Sequence, residues 1–232
     1  SDRLGILEEM TKGHLDLLVI GGGITGAGVA WDASLRGLNV GLVEKQDFAA
    51  GTSSRSTKLI HGGLRYLKQL DFGLVREVGR ERAVLHRLAP HLVRPEPMLL
   101  PIVKGGQHNR FATSWGLWLY DRLAGVSKRE RRTMLTRDEV LRLEPLLRKE
   151  DLLGGGLYVE YRTDDARLTL AVLKSAVACG ALAVNYAEVT QFLHENRKLA
   201  GAVVTDCLSR RTFTVTAKKI VNAAGPWADR LR

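Results

Sequence analysis

The glycine run that follows a short apolar segment constrains the fold more than any other feature of this sequence. Residues 15–20 are aliphatic apart from one aspartate, which is typical of a strand buried on both faces of a parallel sheet. The sequence GGGITG follows directly and places glycines at positions 21, 23 and 26. Because a backbone without Cβ atoms can turn sharply and approach a ligand closely, this spacing predicts a turn that binds a dinucleotide.

The residues after this turn complete the order of strand, turn, helix and strand that dinucleotide binding requires. Ala30 and Ala33 have the spacing for close packing of a helix on a sheet, and Gly37 suits the end of that helix. The next strand ends in Glu44, eighteen residues beyond Gly26. An acid there can accept hydrogen bonds from both hydroxyls of an adenosine ribose and would repel a ribose phosphate. The pattern therefore favours FAD or NAD over NADP.

The segment after the second strand is rich in hydroxyl groups and does not continue with another regular strand and helix. Thr52, Ser53 and Ser56 can donate hydrogen bonds to phosphate oxygens, and the glycines at 62 and 63 allow the backbone to lie close to a flat ring. Taken alone, these hydroxyls are typical of a loop that caps its own backbone. They indicate a flavin only in combination with the preceding turn.

Composition limits the setting and the partners of the chain. Ten more Lys and Arg than Asp and Glu among 232 residues favour acidic partners such as phosphates. Nucleic acid is not an expected partner, because no recognised binding module surrounds the basic cluster at 128–132. The two cysteines have no Cys or His at metal-ligand spacing, which predicts no metal site and a reducing, intracellular setting. The most apolar run, 17–31, is too short to span a bilayer and is broken by glycines.

Hydrophobic periodicity predicts four further helices and four further strands. The helices are expected over 71–92, over 110–124, from a capping box at Thr136 and Glu139 to Pro145, and from Thr163 or Asp164 to Gly180. The strands are expected at 181–193, 198–208, 211–217 and 218–225, the last returning to the main sheet. The adjacent acids Asp164 and Asp165 are expected to satisfy free N–H groups at a helix start and not to act in catalysis.

Two of these helices have faces that can be assigned. In the first, Leu74, Val78, Leu85 and Leu88 are expected on the apolar face, with arginines and glutamates opposite. The second, 110–124, is aromatic along one side and is followed by the basic cluster. It can rest in a membrane interface or pack inside a substrate domain, and we favour packing because so short a stripe fits either account.

Five segments together resemble one enzyme family. They are GGGITGAG, GTSSRSTKLIHGGLRYL, APHLVRPEPMLLPI, TDDARL and VNAAGPWAD. They resemble the FAD-dependent glycerol-3-phosphate dehydrogenases, the aerobic quinone-linked kind, and the sister glycerophosphate oxidases, from about residue 15 to the last. The resemblance implies an α/β fold: a glutathione-reductase-like, Rossmann-type FAD-binding domain at 1–68 and 150–232, with part of an inserted substrate domain at 69–149.

The resemblance also implies roles for individual residues. Those expected to bind FAD are Gly21, Gly22, Gly23, Ile24, Thr25, Gly26, Glu44, Lys45, Thr52, Ser53, Ser56, Leu59, Ile60, His61, Gly62, Val189, Ala223, Ala224 and Gly225. Arg65 and Tyr66 match positions that touch the phosphate of the substrate, and His61 matches a histidine beside the flavin. The residue chemistry agrees, because a guanidinium and a phenol can bind a phosphate and an imidazole can take up a proton.

The implied reaction is the oxidation of sn-glycerol 3-phosphate to dihydroxyacetone phosphate by hydride transfer to FAD, with the electrons then passed to a quinone. The alternatives are a related flavin oxidase that uses oxygen, an amine or amino-acid oxidase, and an FAD-binding module without turnover. Members of the family are longer, so the chain is expected to be the amino-terminal portion, located in the cytoplasm or peripherally at the inner face of the membrane. The electron acceptor, the oligomeric state and any catalytic residue beyond 232 stay open.

Overall fold

The computed structural model describes residues 3–61, 66, 69–106, 109–123, 125–127 and 130–231. The chain divides into two compact units, Ser1–Thr57 with Asp164–Arg232 and Lys58–Thr163. In chain order the elements are α1 Arg3–Thr11, β1 His14–Ile20, α2 Ile24–Leu35, β2 Val40–Val43, a 3-10 helix Thr52–Ser54, β3 Leu59–Ile60, α3 Phe72–Leu88, β4 Val93–Val103, α4 Arg110–Leu123, β5 Thr133–Leu135, α5 Arg137–Leu143, β6 Leu152–Thr163, α6 Asp165–Ala178, β7 Leu182–Val184, β8 Ala187–Glu195, β9 Lys198–Asp206, β10 Thr212–Asn222 and a 3-10 helix Gly225–Leu231.

The sheet of the first unit has the strand order β7-β2-β1-β10-β9-β8. The first four strands pair in parallel, and β9 and β8 extend the sheet as an antiparallel pair. The predicted strand, turn, helix and strand are confirmed as β1, α2 and β2, and the last predicted strand does return beside β1, as part of β10. The predicted α/β, Rossmann-type fold class is therefore confirmed.

Helices cover both faces of this sheet. Successive side chains of a strand point to opposite faces. Leu18 packs in one buried cluster with Leu7 of α1, and its neighbour Val19 packs in a second cluster with Ala30 and Ala33 of α2. The predicted packing role of the two alanines is confirmed. α6 lies beside α2 on the same face.

An ion pair joins α1 to the end of β9. Arg3 donates hydrogen bonds of 2.6 and 3.0 Å to the buried carboxylate of Asp206, and Ser209 donates to the same carboxylate. Burial alone would raise the pKa of Asp206, but the hydrogen bonds from Ser209 and Arg3 outweigh it and lower the pKa to about 2. The turn between β9 and β10 is therefore held around a carboxylate that stays charged in the folded protein.

The sheet of the second unit has the order β3-β6-β4, and β5 also pairs with β6. Sequence periodicity did not predict β6, because its LLGGG start has no alternation of apolar and polar residues. A Cβ on Gly155 would lie 2.9 Å from the Val140 side chain, and one on Gly156 would lie 2.6 Å from the Leu117 side chain. The glycines therefore let α5 and α4 pack directly on the strand.

The division between the units differs from the boundaries predicted after residues 68 and 149. β3 pairs with the end of β6, and the Thr163 N–H donates to the Lys58 carbonyl at 2.9 Å. Pairing of these distant segments places both of them in the second unit. Residues 150–163 and the described part of 58–68 therefore belong with the inserted segment and not with the first unit.

The predicted helix at 71–92 is confirmed as α3, five residues shorter, but its buried face differs from the predicted one. Val75, Gly79 and Arg82 are the buried positions, whereas Leu88 is 68% exposed. Arg82 forms an ion pair with the buried Glu160, so the buried face of the helix includes a charged residue. A pattern of apolar residues alone counts an arginine as a surface residue.

The remaining predicted helices are confirmed with small shifts at their ends. Thr136 and Glu139 form the reciprocal capping box of α5. Asp164 is the N-cap of α6, and Gly180 follows its end with a φ of +97°. Across the described ranges, no helix combines the length and the apolar character that crossing a bilayer requires.

Candidate cofactor site

The glycine turn lies at the carboxyl edge of the parallel strands, the edge at which such sheets bind ligands. Gly21 continues β1 and its N–H donates to the Val43 carbonyl of β2 at 2.8 Å. On the other side, the Ala223 N–H donates to the Ile20 carbonyl at 2.8 Å. The turn, the end of β2 and the start of the 223–225 segment are thus joined at one place.

The structure itself requires glycine at the first and third positions of the turn. Gly21 has a φ of +115°, and its added Cβ would lie 2.5 Å from the Ala223 carbonyl oxygen. An added Cβ on Gly26 would lie 1.9 Å from the Gly21 carbonyl oxygen. The middle glycine, Gly23, is the N-cap of α2 and offers that helix no side-chain cap. A helix start whose N-cap residue has no side chain can bind an anionic group such as a diphosphate.

Glu44 is held beside the turn by two backbone donors. Its Oε2 accepts from the Gly22 N–H at 2.7 Å and its Oε1 accepts from the Gln46 N–H at 2.8 Å. A Cβ on Gly22 would lie 2.8 Å from the Cβ of Glu44, so this glycine permits the close approach. Each carboxylate oxygen can accept more than one hydrogen bond, so hydroxyls of a ribose can bind here as well. Lys45, the next predicted residue, is exposed.

The hydroxyl-rich segment contacts two helices of the first unit. Ser53 Oγ accepts from the Ile24 N–H at the start of α2, at 2.9 Å. Ser56 Oγ donates to Asp165 Oδ2 at the start of α6, at 2.6 Å. Thr52 is exposed at the start of the short 3-10 helix. Sequence reasoning missed the contact with Asp165, because it links residues 109 positions apart.

The 223–225 segment is held by a side chain that sequence reasoning also missed. Asn222 Oδ1 accepts from the Ala224 N–H at 3.1 Å, and Asn222 Nδ2 donates to the Ala228 carbonyl at 3.0 Å. Ala223 and Ala224 are half-buried, and Gly225 has a φ of +59° that favours glycine. This asparagine fixes the backbone where it leaves the sheet.

Val189 and Thr25 complete the predicted residues of the first unit. Val189 lies on β8 with its side chain buried in the core, two residues beyond Ala187, whose N–H donates to the Glu44 carbonyl at 2.8 Å. That placement agrees with a contact through the backbone of Val189. Thr25 lies exposed in the first turn of α2.

The other predicted residues belong to the second unit. Leu59 and Ile60 form β3 and pair with Arg162 and Tyr161 of β6. His61 follows β3 and is exposed. The structure therefore puts these three residues at one sheet edge.

The predicted substrate residues are only partly covered by the structure. Gly62 and Arg65 lie outside the described residues. Tyr66 is half-buried and packs against a small core that includes Val75 and Tyr120. Whether Tyr66 touches a substrate phosphate stays a prediction.

A buried charged cluster in the second unit was not predicted. Arg82 Nη1 lies 3.2 Å from Glu160 Oε2 and donates to the Tyr120 hydroxyl at 2.6 Å, and that hydroxyl donates to Glu160 at 3.1 Å. Each of the three side chains is at most 3% exposed. Burial raises the pKa of the Tyr120 phenol well above its usual range, so it stays protonated.

The first-unit residues fit the adenosine diphosphate part of FAD. The glycines of the turn have no side chains, and the N-cap residue of α2 is one of them. The Glu44 carboxylate accepts a hydrogen bond from the Gly22 N–H beside the turn. These are the contacts that a diphosphate and a neighbouring ribose require.

Comparisons with known proteins agree with this fit. The family described as FAD dependent oxidoreductase matches residues 16–232. An aerobic glycerol-3-phosphate dehydrogenase of Bacillus subtilis (strain 168) is 58% identical over 231 residues, which cover 100% of this chain and 42% of that relative. The solved glycerol-3-phosphate dehydrogenase from Bacillus halodurans complexed with FAD is 49% identical with a TM-score of 0.78, covering 98% of this chain and 38% of that one.

A glycine oxidase from Bacillus cereus ATCC 14579 has the same fold at lower similarity. It is 26% identical with a TM-score of 0.65, and the match covers 94% of this chain and 57% of the oxidase. The chain thus spans less than half of the length of the glycerol-3-phosphate dehydrogenases that it matches.

Proposed function

This chain belongs to the FAD dependent oxidoreductase family, and from that premise we propose that it carries the FAD site of a glycerol-3-phosphate dehydrogenase. The reaction is the oxidation of sn-glycerol 3-phosphate to dihydroxyacetone phosphate. The observation that carries this choice is the 58% identity to an aerobic glycerol-3-phosphate dehydrogenase across the whole chain, against 26% to a glycine oxidase of the same fold.

FAD, when bound, supplies the hydride acceptor of this reaction. The residues of the first unit hold it in place: the backbone of Gly21–Gly26 takes the diphosphate, and Glu44 accepts hydrogen bonds from the adenosine ribose. Ser53 can donate its own hydroxyl hydrogen to the cofactor, because its oxygen already accepts from the Ile24 N–H. The geometry of the glycine turn and Glu44 supports these assignments.

The residues of the second unit are proposed to handle the substrate. His61 takes the hydroxyl proton as the central carbon of glycerol 3-phosphate gives up its hydride. Arg65 offers a planar, permanently charged guanidinium to the phosphate, and Tyr66 offers a hydroxyl beside it. The match of KLIHGGLRYL to the family supports these roles.

Anaerobic addition of glycerol 3-phosphate to the purified full-length protein tests the proposal. The visible absorbance of oxidised flavin is expected to bleach with glycerol 3-phosphate and to stay unchanged with glycerol, which lacks the phosphate. Bleaching by an amino acid alone would instead establish an amino-acid oxidase. A yellow protein that no substrate reduces would establish an FAD-binding module without turnover.

A quinone is the proposed electron acceptor, because the sequence motifs resemble the quinone-linked dehydrogenases, and oxygen is the alternative. Stopped-flow reoxidation of the reduced protein distinguishes them. A short-chain quinone is expected to reoxidise the flavin faster than air-saturated buffer does. Faster reoxidation by oxygen would assign the chain to the glycerophosphate oxidases.

A peripheral association with an anionic membrane is proposed for α4, together with a cytoplasmic location. Phe111, Trp115 and Trp118 are 81, 55 and 45% exposed along this helix. They therefore do not pack in the described core, although packing was the favoured prediction for this helix. The Arg132 guanidinium donates to the Ser114 carbonyl at 2.7 Å and so stands beside the same face. An exposed aromatic stripe beside cationic side chains is typical of helices that lie in a lipid interface.

Vesicle sedimentation of the full-length protein tests this surface. Binding to vesicles with 30% phosphatidylserine, roughly a physiological anionic surface, is expected to fall several-fold in Trp115→Ala and to be weak on neutral vesicles. Leu170→Ala, which removes an exposed apolar side chain from α6, is the control. Equal binding of wild type and Trp115→Ala would show that this face is covered by protein.

A further inference from the structure

Two neighbouring acids at the start of α6 have different partners. Asp164 Oδ1 accepts from the Arg167 N–H at 3.1 Å and so acts as the N-cap of its own helix. Asp165 instead turns its Oδ2 toward Ser56, accepting from the hydroxyl at 2.6 Å and more weakly from the N–H at 3.4 Å. Only the first of these contacts stabilises the helix, so the second needs another explanation.

Asp165 is also held by contacts within α6. Its Oδ1 accepts from the Ala166 N–H at 2.9 Å, and its carbonyl accepts from the hydroxyl of the fully buried Thr169 at 2.9 Å. One turn further, Leu173 is buried in the cluster that α6 shares with α2. The carboxylate therefore projects from a helix that is packed against the one starting at the glycine turn.

Residues 51–56, which Asp165 contacts through Ser56, are also contacted by two other elements. Ser53 binds the Ile24 N–H at the start of α2, and Gly51 lies so close to Trp227 that an added Cβ would be 3.0 Å from its ring. Asp165 provides the third contact, at Ser56. Three separate elements, α2, α6 and the 3-10 helix at 225–231, thus contact residues 51–56.

The contact also determines how Ser56 can bind a ligand. A serine has one hydrogen to donate, and the carboxylate of Asp165 takes that of Ser56. Toward a cofactor Ser56 can therefore act only as an acceptor. The predicted donation of Ser56 to phosphate oxygens is therefore wrong, and Ser53 is the serine that can take this role.

We propose that Asp165 is a positioning residue for FAD: by binding Ser56 it holds residues 51–56 in the conformation that receives the cofactor and makes Ser56 a hydrogen-bond acceptor toward it. This inference rests on the proposed function only in requiring that the protein binds FAD. It assigns Asp165 no contact with the substrate.

The test measures FAD binding to the full-length protein. The dissociation constant follows from quenching of flavin fluorescence during titration into deflavinated protein, and the rate of FAD release from the holoprotein is a second readout. Asp165→Ala is expected to raise the dissociation constant about tenfold, as loss of a charge-assisted hydrogen bond implies. Asp165→Asn keeps an acceptor oxygen and is expected to restore most of the affinity.

Asp164→Ala is the matched control, since it removes an equal charge one residue earlier. It is expected to lower the melting temperature through loss of the cap while changing FAD affinity less than about twofold. Ser56→Ala is expected to weaken FAD binding, and adding Asp165→Ala to it is expected to weaken binding no further, because the two residues act through one contact.

Equal FAD affinity in Asp164→Ala and Asp165→Ala would overturn the proposal, and so would additive effects of Ser56→Ala and Asp165→Ala. If Asp165→Ala does not fold, Ser56→Ala removes the same contact from its other side, and FAD affinity equal to that of the wild type would then overturn the proposal. Failure of the proposed function is distinguishable, because wild-type protein would then bind FAD without reduction by glycerol 3-phosphate.

Discussion

Substitution of Glu160 by Gln tests whether the buried cluster of the second unit is held by charge. Gln has nearly the same shape, but its single acceptor oxygen can face only one of the two donors, because the Arg82 guanidinium binds Oε2 and the Tyr120 hydroxyl binds Oε1. It removes the negative charge that lies 3.2 Å from the Arg82 guanidinium, at a place where both side chains are 3% exposed. The variant therefore removes the charge and one hydrogen bond while leaving the volume of the side chain nearly unchanged.

The expected loss can be worked out from these contacts. Removing one partner of a buried ion pair costs about 3–5 kcal/mol of unfolding free energy. The lower end applies here, because Arg82 keeps the Tyr120 hydroxyl and lies 4.7 Å from the centre of the Tyr161 ring. A loss of about 3 kcal/mol in a chain of this size corresponds to a fall of roughly 6–12 °C in melting temperature.

Thermal and urea unfolding, followed by circular dichroism, measure the loss. Glu96→Gln is the control, because the Glu96–Arg162 pair likewise joins an element to β6, here β4, at 3.4 Å, but its side chains are 43 and 61% exposed. An exposed pair contributes about 0.2–1 kcal/mol. A Glu160→Gln variant no less stable than Glu96→Gln would refute the argument that burial makes this charge pair essential.

Three further substitutions have expected outcomes. Gly26→Ala is expected to abolish FAD binding, seen as loss of the yellow colour on purification, because its Cβ would lie 1.9 Å from a backbone oxygen; Gly28→Ala, whose Cβ meets nothing within 4 Å, should keep FAD. Asp206→Asn is expected to lower the unfolding free energy at pH 7 by about 2 kcal/mol, since the pKa of Asp206 is held at about 2. Urea titrations should show this difference in unfolding free energy above about pH 4 and its loss as the pH falls through 2. A difference that stays constant with pH would contradict the prediction. His61→Asn is expected to lower kcat with glycerol 3-phosphate by about 100-fold or more with an unchanged flavin spectrum; wild-type turnover would remove His61 from the proton transfer.

The core of the first unit could be predicted from the sequence because its signals are local. The apolar run of β1, the glycine spacing and the acid at the end of β2 all lie within thirty residues. Gly26 is required by a contact inside the turn itself, because its Cβ would lie 1.9 Å from the Gly21 carbonyl oxygen. A local sequence can specify a local contact.

The second unit was harder to predict because distant partners determine its elements. β6 is a strand although three glycines lie near its start. Gly155 and Gly156 are needed there because α5 and α4 pack directly on the strand at these two positions. Arg82 is buried on α3 because Glu160, 78 residues later, pairs with it. Neither partner is visible in the periodicity of the segment concerned, so the pattern assigned the glycines to no strand and the arginine to the surface.

The pair Asp164 and Asp165 shows that a local signal can still be incomplete. Successive residues of an α-helix point about 100° apart, so two adjacent acids at a helix start cannot both cap the same N–H groups. Once Asp164 is the cap, Asp165 uses one carboxylate oxygen for the Ala166 N–H of its own helix, and the other oxygen binds a donor on another element. That donor is Ser56, in a hydroxyl-rich segment already predicted to bind the cofactor. The sequence thus contained a reason to expect a second partner for one of the two acids, but only the fold identifies which acid and which partner.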